Sequence, residues 1–284
     1  MRPASLSENP VMTEAERKRI AEYIEVHFGI RMPEEKKTLL QGRLLKRLLA
    51  LGIPTYAAYF DYIYQPNPAG QEEFLHFVDL ISTHETTFFR EATHFPILEA
   101  ELTRLIDLPN PEPRLRILCA ACSTGQEAYT IAMVVSEVLA AANQNRDFVV
   151  EAIDLSDRAV AIAQRGVYTR SQIATIPPQL VTKYFMRSKD PKQDLVRVVP
   201  ELRSRLQAHT GNLIAEIDYH LDEYDIIFCR NVLIYFELAN QKKVLHRLSN
   251  RLVSGGTLFL GHTETMSTWH SSLVTIAPAV YRKP

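Results

Sequence analysis

Cysteine is scarce in this chain of 284 residues: only Cys119, Cys122 and Cys229 occur. An odd count without a secretory leader argues against a disulfide framework and points to a reducing, cytoplasmic compartment. Cys119 and Cys122 have the C-x-x-C spacing, but no second pair completes a metal set and Cys119 falls inside an apolar run. Both read as small core residues, and no metal is expected. No apolar run reaches the roughly 18 residues that a membrane-crossing helix needs, so no insertion into a bilayer is expected. Excess charge is lacking too. The net charge of -1 excludes a surface that is basic all over, and no nucleic-acid partner is expected. There is no internal repeat, no low-complexity tract and no G-x-G-x-x-G turn. What is present is an ordinary apolar fraction, 46%, in a chain long enough for one large domain or two.

The first half is helical in pattern. Residues 1–11 are polar, contain two prolines and read as a disordered lead-in. Thr13 with Glu16 has the spacing of a capping box; Ile20, Tyr23, Ile24 and His27/Phe28 mark one face of the helix that follows, and Gly29 stops it. A second helix is expected from Pro33 to Gly52, with Leu39, Leu40, Leu44, Leu48 and Leu49 as its buried stripe. Lys36, Arg43 and Arg47 fall on another face, within about 40° of one another at the helical repeat, a solvated helix face being the bland reading. Two shorter helices follow over 55–64 and 71–81. Residues 12–82 therefore form an all-helical N-terminal domain. Residues 83–113 are a polar segment with an aromatic pair, a helix over 95–106, and a connector stiffened by Pro109, Pro111 and Pro113.

From residue 114 the pattern changes to α/β. Residues 116–120 are a short apolar run suited to a buried parallel strand. Ser123, Thr124 and Gly125 break it, and a helix starts at Gln126. Strand, small-residue turn and helix open a nucleotide-binding unit, because the turn lets a ligand approach free backbone N–H groups. A second strand over 148–153 ends at Asp154, with Ser156 or Asp157 capping the next helix. A carboxylate at that strand tip suits the vicinal hydroxyls of a ribose. Within 182–210 three short strands, at 183–187, 195–199 and 206–209, read as a small antiparallel subdomain inserted in the parallel fold. A strand over 223–229 leads into Arg230-Asn231, and a helix over 239–252 and strands at 257–260, 273–276 and 280–281 close the sheet.

Taken together, Thr86-Thr87-Phe88-Phe89-Arg90-Glu91, Ala121-Cys122-Ser123-Thr124-Gly125-Gln126-Glu127, Ile153-Asp154, Gly166-Val167-Tyr168, Tyr184-Phe185-Met186-Arg187, the run from Phe228 to Phe236 and Gly261-His262-Thr263-Glu264 resemble the CheR family of chemotaxis-receptor glutamate methyltransferases. The resemblance runs from about residue 15 to Lys283. It implies a Rossmann-like S-adenosylmethionine methyltransferase domain over 114–284, with the inserted β-subdomain, behind the helical domain. It implies S-adenosyl-L-methionine as cofactor, S-adenosyl-L-homocysteine as product, and the cytoplasmic signalling domains of membrane chemoreceptors as partners, the enzyme acting as a monomer. Carried over by position, Thr86 and Arg90 close on the cofactor, Glu127 binds its ammonium group and Asp154 its ribose. Asn212 with Leu213 and Arg230 with Asn231 complete the pocket, and Tyr235 faces the transferred methyl. His84 stands where relatives commonly have asparagine, Gln126 where they have glutamate and Ala128 where they have proline.

Methyl transfer to an ionised glutamate needs alignment and dehydration more than it needs a base. Arg90 suits the grip on the substrate carboxylate and Tyr235 its orientation, the bland alternatives being a salt bridge of Arg90 to Glu85 or Glu91 and plain packing of Tyr235. Lys36, Arg43 and Arg47 suit recognition of an acidic helical receptor. Some family members bind a receptor's C-terminal pentapeptide through the inserted strands with a glycine-rich loop, but residues 188–194 here contain no glycine. Three rival readings are a methyltransferase for amines or RNA, a silent adenosylmethionine-binding module, and a NAD-linked dehydrogenase. The first lacks its Asn-Pro-Pro-Tyr run, retention of Arg90, Glu127, Asp154 and Tyr235 argues against the second, and the third lacks its glycine turn.

Overall fold

The computed structural model describes residues 9–109, 113–190, 192–215, 223–264 and 272–284. Expectations for residues 1–8, Pro111 and Pro191 lie outside the described residues. The chain divides into two compact units. The first holds the described residues up to Thr83 with Tyr235–Glu237, and the second holds His84–Ile234 with Leu238–Pro284.

The first unit contains α1 (Glu14–Phe28), α2 (Lys37–Leu51), α3 (Tyr56–Tyr62) and α4 (Pro68–Ile81). Thr13 and Glu16 form the reciprocal capping box of α1, and Gly29 ends it in the left-handed region. Ile20, Ile24 and Phe28 of α1, Leu40, Leu44 and Leu48 of α2, Tyr59 and Phe60 of α3 and Phe77 and Ile81 of α4 make the core. The expected stripe of α2 was too wide. Leu39 and Leu49 are 46% and 42% exposed, because their positions turn away from the line through Leu40, Leu44 and Leu48.

The basic face also needs correction. Arg47 forms a bidentate ion pair with Glu73 of α4, which is 3% exposed and also accepts the Tyr59 hydroxyl at 2.8 Å. Arg43 donates to the carbonyls of Leu80 at 3.0 Å and Ser82 at 3.1 Å, where α4 leaves its last C=O groups without helical partners. Both guanidinium groups hold α2 to α4, so they are not a free solvated face. Lys36, in a 3₁₀ turn before α2, lies 5.5 Å over the ring of Tyr235.

The second unit begins with α5 (His94–Ile106) and continues with β1 (Arg114–Ala120), α6 (Gln126–Ala141), β2 (Asp147–Asp154), α7 (Asp157–Arg165), β3 (Val167–Thr169), α8 (Pro178–Tyr184), β4 (Phe185–Arg187), β5 (Leu195–Val198), α9 (Pro200–Arg203), β6 (Leu206–Thr210), β7 (Tyr224–Cys229), α10 (Leu238–Arg251), β8 (Leu252–Leu260), β9 (Val274–Ala277) and β10 (Val280–Arg282). Seven strands form one sheet in the order β6-β2-β1-β7-β8-β10-β9. The first five are parallel and β10 runs antiparallel to both its neighbours. β1, β2 and β7 are buried along most of their length, which explains their near-continuous apolar runs.

The inserted β-subdomain is differently composed from the expectation for 182–210. The small antiparallel sheet has the order β3-β5-β4, so its third strand comes from Val167–Thr169, before that stretch. β6 instead joins the main sheet, parallel to β2 from Val150 opposite Leu206 to Asp154 opposite Thr210. Lys183 and Tyr184 end α8 and are not strand residues. Three residues are too few for a period to reveal β3, and an alternating run such as β6 does not name its partner.

Candidate active site

The registers of the central strands bring three chain segments to one level. Ala120 of β1 stands opposite Ile153 of β2 and Cys229 of β7. The residues that follow therefore leave the sheet side by side at its C-terminal edge: the turn 121–125, Asp154, and Arg230 with Asn231. The connections diverge between β1 and β7, the place where open α/β sheets bind ligands. Backbone strain gathers here. Among the described residues, five of the seven non-glycine residues with positive φ are Phe89, Glu91, Ala121, Ser123 and Asn231. Each costs roughly 1–3 kcal/mol and persists only where surrounding contacts enforce it.

Asp154 is anchored by backbone donors. Its Oδ2 accepts the N–H of Ser123 at 2.7 Å and its Oδ1 that of Ser156 at 3.0 Å, leaving lone pairs on both oxygens. Burial raises its pKa above the ordinary 3.8, and the hydrogen bonds oppose the rise without cancelling it. The backbone N–H of Gly211 donates to the Asp154 carbonyl at 2.8 Å, which brings Asn212 and the buried Leu213 to the same edge. Asn212 Oδ1 closes the turn there by accepting the Ile214 N–H at 3.2 Å.

Gly125 begins α6 with a φ of +95°, and a Cβ there would lie 2.7 Å from the Cβ of Ala163. The room it makes is therefore for α7 to pack. Glu127 sits in the first turn of α6 and is 12% exposed. Its Oε2 receives Arg230 Nη1 at 2.8 Å, while its Oε1 has the weaker thiol of Cys119 at 3.4 Å. Burial pushes the Glu127 carboxyl up, and Arg230 offsets only part of that rise. Cys119 and Cys122 are fully buried thiols whose pKa values burial and neighbouring carboxylates drive well up, as inert core cysteines require.

Arg230 has no side-chain exposure and acts as a brace. Besides Glu127 it donates from Nη2 to the Arg90 carbonyl at 2.6 Å and to Glu91 Oε2 at 3.0 Å. Asn231 Nδ2 donates to Glu91 Oε1 at 3.0 Å. Burial alone would raise the Glu91 pKa, but the bonds from Asn231 and Arg230 win and hold it below 4.5. Glu91, His94 and His262 place ligand-type atoms within 4.8 Å of one another. Both Glu91 oxygens already receive Asn231 and Arg230, so this trio belongs to the hydrogen-bonded brace. His94 is 1% exposed, and burial, Arg230 and His262 lower its pKa to about 4, which keeps it neutral at pH 7.

The segment before α5 lies in the same unit. The His84 carbonyl accepts the Ser123 hydroxyl at 3.3 Å, tying the segment to the turn after β1. Thr86 is half-buried within it. Arg90 is half-buried, and its guanidinium donates to the Glu85 carbonyl at 2.8 Å. The second unit thus brings together His84, Arg90, Glu127, Asp154, Asn212, Leu213, Arg230 and Asn231. Tyr235 groups with the helical unit, where its carbonyl accepts the Arg31 N–H at 2.8 Å. Glu91 and Glu264 went unassigned in the sequence although both stand in quoted motifs, because nothing local reveals which distant donors they meet.

Glu91, Glu127, Asp154 and Glu264 outnumber Arg90 and Arg230 at this edge. The excess charge is negative, so a cationic ligand is favoured. One carboxylate beside a helix start and another at the tip of the neighbouring strand fit the ammonium and ribose ends of S-adenosylmethionine. Comparisons with known proteins identify both halves of the chain. "CheR methyltransferase, all-alpha domain" matches residues 15–82, and "CheR methyltransferase, SAM binding domain" matches residues 84–280. The chain is 33% identical over 262 residues to a chemotaxis protein methyltransferase of Escherichia coli, covering 92% of this chain and 88% of that one. It is 30% identical to one of Borreliella burgdorferi, covering 96% and 95%. Chemotaxis protein methyltransferase 2 of Pseudomonas aeruginosa is 34% identical, with 89% and 87% covered. Two family descriptions that together span nearly the whole chain, and relatives matched over most of their own length, place this protein in the CheR methyltransferase family.

Proposed function

We propose that this chain methylates specific glutamate side chains in the cytoplasmic signalling domains of membrane chemoreceptors, giving glutamyl methyl esters for chemotactic adaptation. The observation that carries the reading is the pair of carboxylates, half-buried Glu127 at the start of α6 and buried Asp154 at the tip of β2, in a site of excess negative charge. The family and the names of its relatives support the methyl transfer and the chemotactic setting. A cytoplasmic enzyme fits that setting, and among the described residues no helix is long and apolar enough to cross a membrane.

S-adenosylmethionine supplies an electrophilic methyl group when bound. Glu127, one oxygen of which Arg230 does not engage, would hold the ammonium group. Asp154 would receive the ribose hydroxyls, and Asn212 and Leu213 would line the adenosine side. Arg90 grips the substrate glutamate, which is already ionised because its ordinary pKa is about 4.3, so no side chain has to take up a proton. Charge is neutralised as the methyl moves, so the protein's contribution is positioning and exclusion of water. Arg43 and Arg47 are committed to α4, and receptor recognition by the helical unit therefore rests on Lys36. Tyr235 retains the proposed role of orienting the carboxylate.

The test is incubation with labelled S-adenosylmethionine and receptor cytoplasmic fragments, followed by alkali. A methyl ester releases its label. An alkali-stable label would assign another acceptor, and tight S-adenosylhomocysteine binding without any transfer would make the protein a silent binding module.

A further inference from the structure

Glu264 follows β8 and is 5% exposed. Its Oε2 accepts the backbone N–H groups of Asn231 and Gly261, each at 2.7 Å. Its Oε1 accepts those of Leu233 at 2.7 Å and Ile234 at 3.4 Å. One carboxylate therefore ties the loop after β7 to the loop after β8. An acceptor-only group suits this task, because an amide in its place would set its own N–H donors against backbone donors. Gly261 is part of the fit. A Cβ there would lie 2.6 Å from Glu264 Oε2, 2.9 Å from Asn231 Nδ2 and 3.0 Å from the Asn231 nitrogen.

The contact reaches the site through Asn231. Glu264 holds the Asn231 backbone at a φ of 59°, and the Asn231 side chain then meets Glu91 Oε1 at 3.0 Å. Glu91 flanks Arg90 and is itself at a φ of 53°. The sheet beneath does not depend on this clasp, since β7 and β8 pair through Cys229 opposite Leu260, before either loop begins.

We propose that Glu264 is a positioning residue for methyl transfer, holding Asn231–Ile234 and, through Asn231 and Glu91, setting the segment that carries Arg90. The assignment rests on the proposed role of Arg90 at the substrate carboxylate. Two variants of the full chain test it, Glu264→Gln and Gly261→Ala, the second keeping the carboxylate but displacing it. In both, kcat for receptor methylation falls about a hundredfold, the loss that a misplacement of about 1 Å brings. S-adenosylhomocysteine affinity by calorimetry falls far less than kcat, by no more than about tenfold, and hydrogen exchange rises in peptides covering 230–236 and 259–264 but not in β1 or β2. Wild-type kcat with the loop amides still protected would overturn the proposal. So would a fall of cofactor affinity and thermal stability in step with kcat, the pattern of a merely structural residue. If the wild-type protein does not methylate receptors, the functional reading fails by itself. Exchange then still decides the clasp, supporting it if both variants lose loop protection and overturning it if they keep it.

Discussion

Arg230 and Glu127, the one at the end of β7 and the other in the first turn of α6, meet at 2.8 Å across 103 residues of sequence. The pair engages one Glu127 oxygen and leaves the other with only a thiol donor. Arg230 has no exposed side-chain surface, so water cannot compensate a displaced partner. The site thus holds a braced carboxylate, one oxygen of which has only a weak thiol donor.

That arrangement makes cofactor binding depend on pH. The folded Glu127 pKa lies above 4.5 because of burial, with Arg230 offsetting part of the rise. A raised carboxyl stabilises the ligand-free fold below its unfolded pKa, and that contribution is lost as pH rises through the folded value. The ammonium group of the ligand favours the ionised form, so S-adenosylhomocysteine affinity falls, with increasing proton release on binding, as pH drops from 7.5 towards the raised Glu127 value. Calorimetry in buffers of different ionisation enthalpy measures both quantities. Affinity and proton release that do not change over this range would remove Glu127 from the ammonium contact.

Arg90→Ala lowers methyl transfer by at least about a hundredfold in a radiolabelled-methyl assay, as expected for a positioning guanidinium. Arg90→Lys recovers only part of it, since an ammonium cannot make the planar two-bond grip. Near-wild-type turnover of the alanine variant would refute the assignment.

Asp154→Ala weakens S-adenosylhomocysteine binding about tenfold to a hundredfold, the range for hydrogen bonds to a charged group. The variant also leaves the N–H groups of Ser123 and Ser156 without their carboxylate. Unchanged affinity in calorimetry would move the ribose contact to another residue.

Arg47→Ala destabilises the helical unit by roughly 2–3 kcal/mol, below the fully buried range because Arg47 keeps 30% of its side-chain exposure. Burial would raise the Glu73 pKa, but Arg47 and Tyr59 hold it below 4.5. The stability Glu73 contributes is therefore present above its unfolded pKa and lost as pH falls through its lower folded value. Hydrogen exchange in α2 and α4 measures the loss at pH 7. Receptor recognition is accordingly better probed at Lys36, since charge reversal at Arg43 or Arg47 also unpins α4.

What the sequence determined by itself is local. The Thr13–Glu16 box and Gly29 bound α1 because their bonds span three or four residues. The strand, turn and helix around Gly125 and the carboxylate at the tip of β2 were legible because apolar period and its interruption are properties of neighbouring residues. The family resemblance rested on such short motifs in order. Tertiary structure alone decided the rest. β6 chose β2 over the small sheet, Arg47 found Glu73 across 26 residues, and Asn231 found Glu264 across 33. A guanidinium or a carboxylate in a sequence carries charge and hydrogen-bonding capacity but no address. Its partner is fixed when packing buries it, because an unpaired charge removed from water costs more than the fold can sustain.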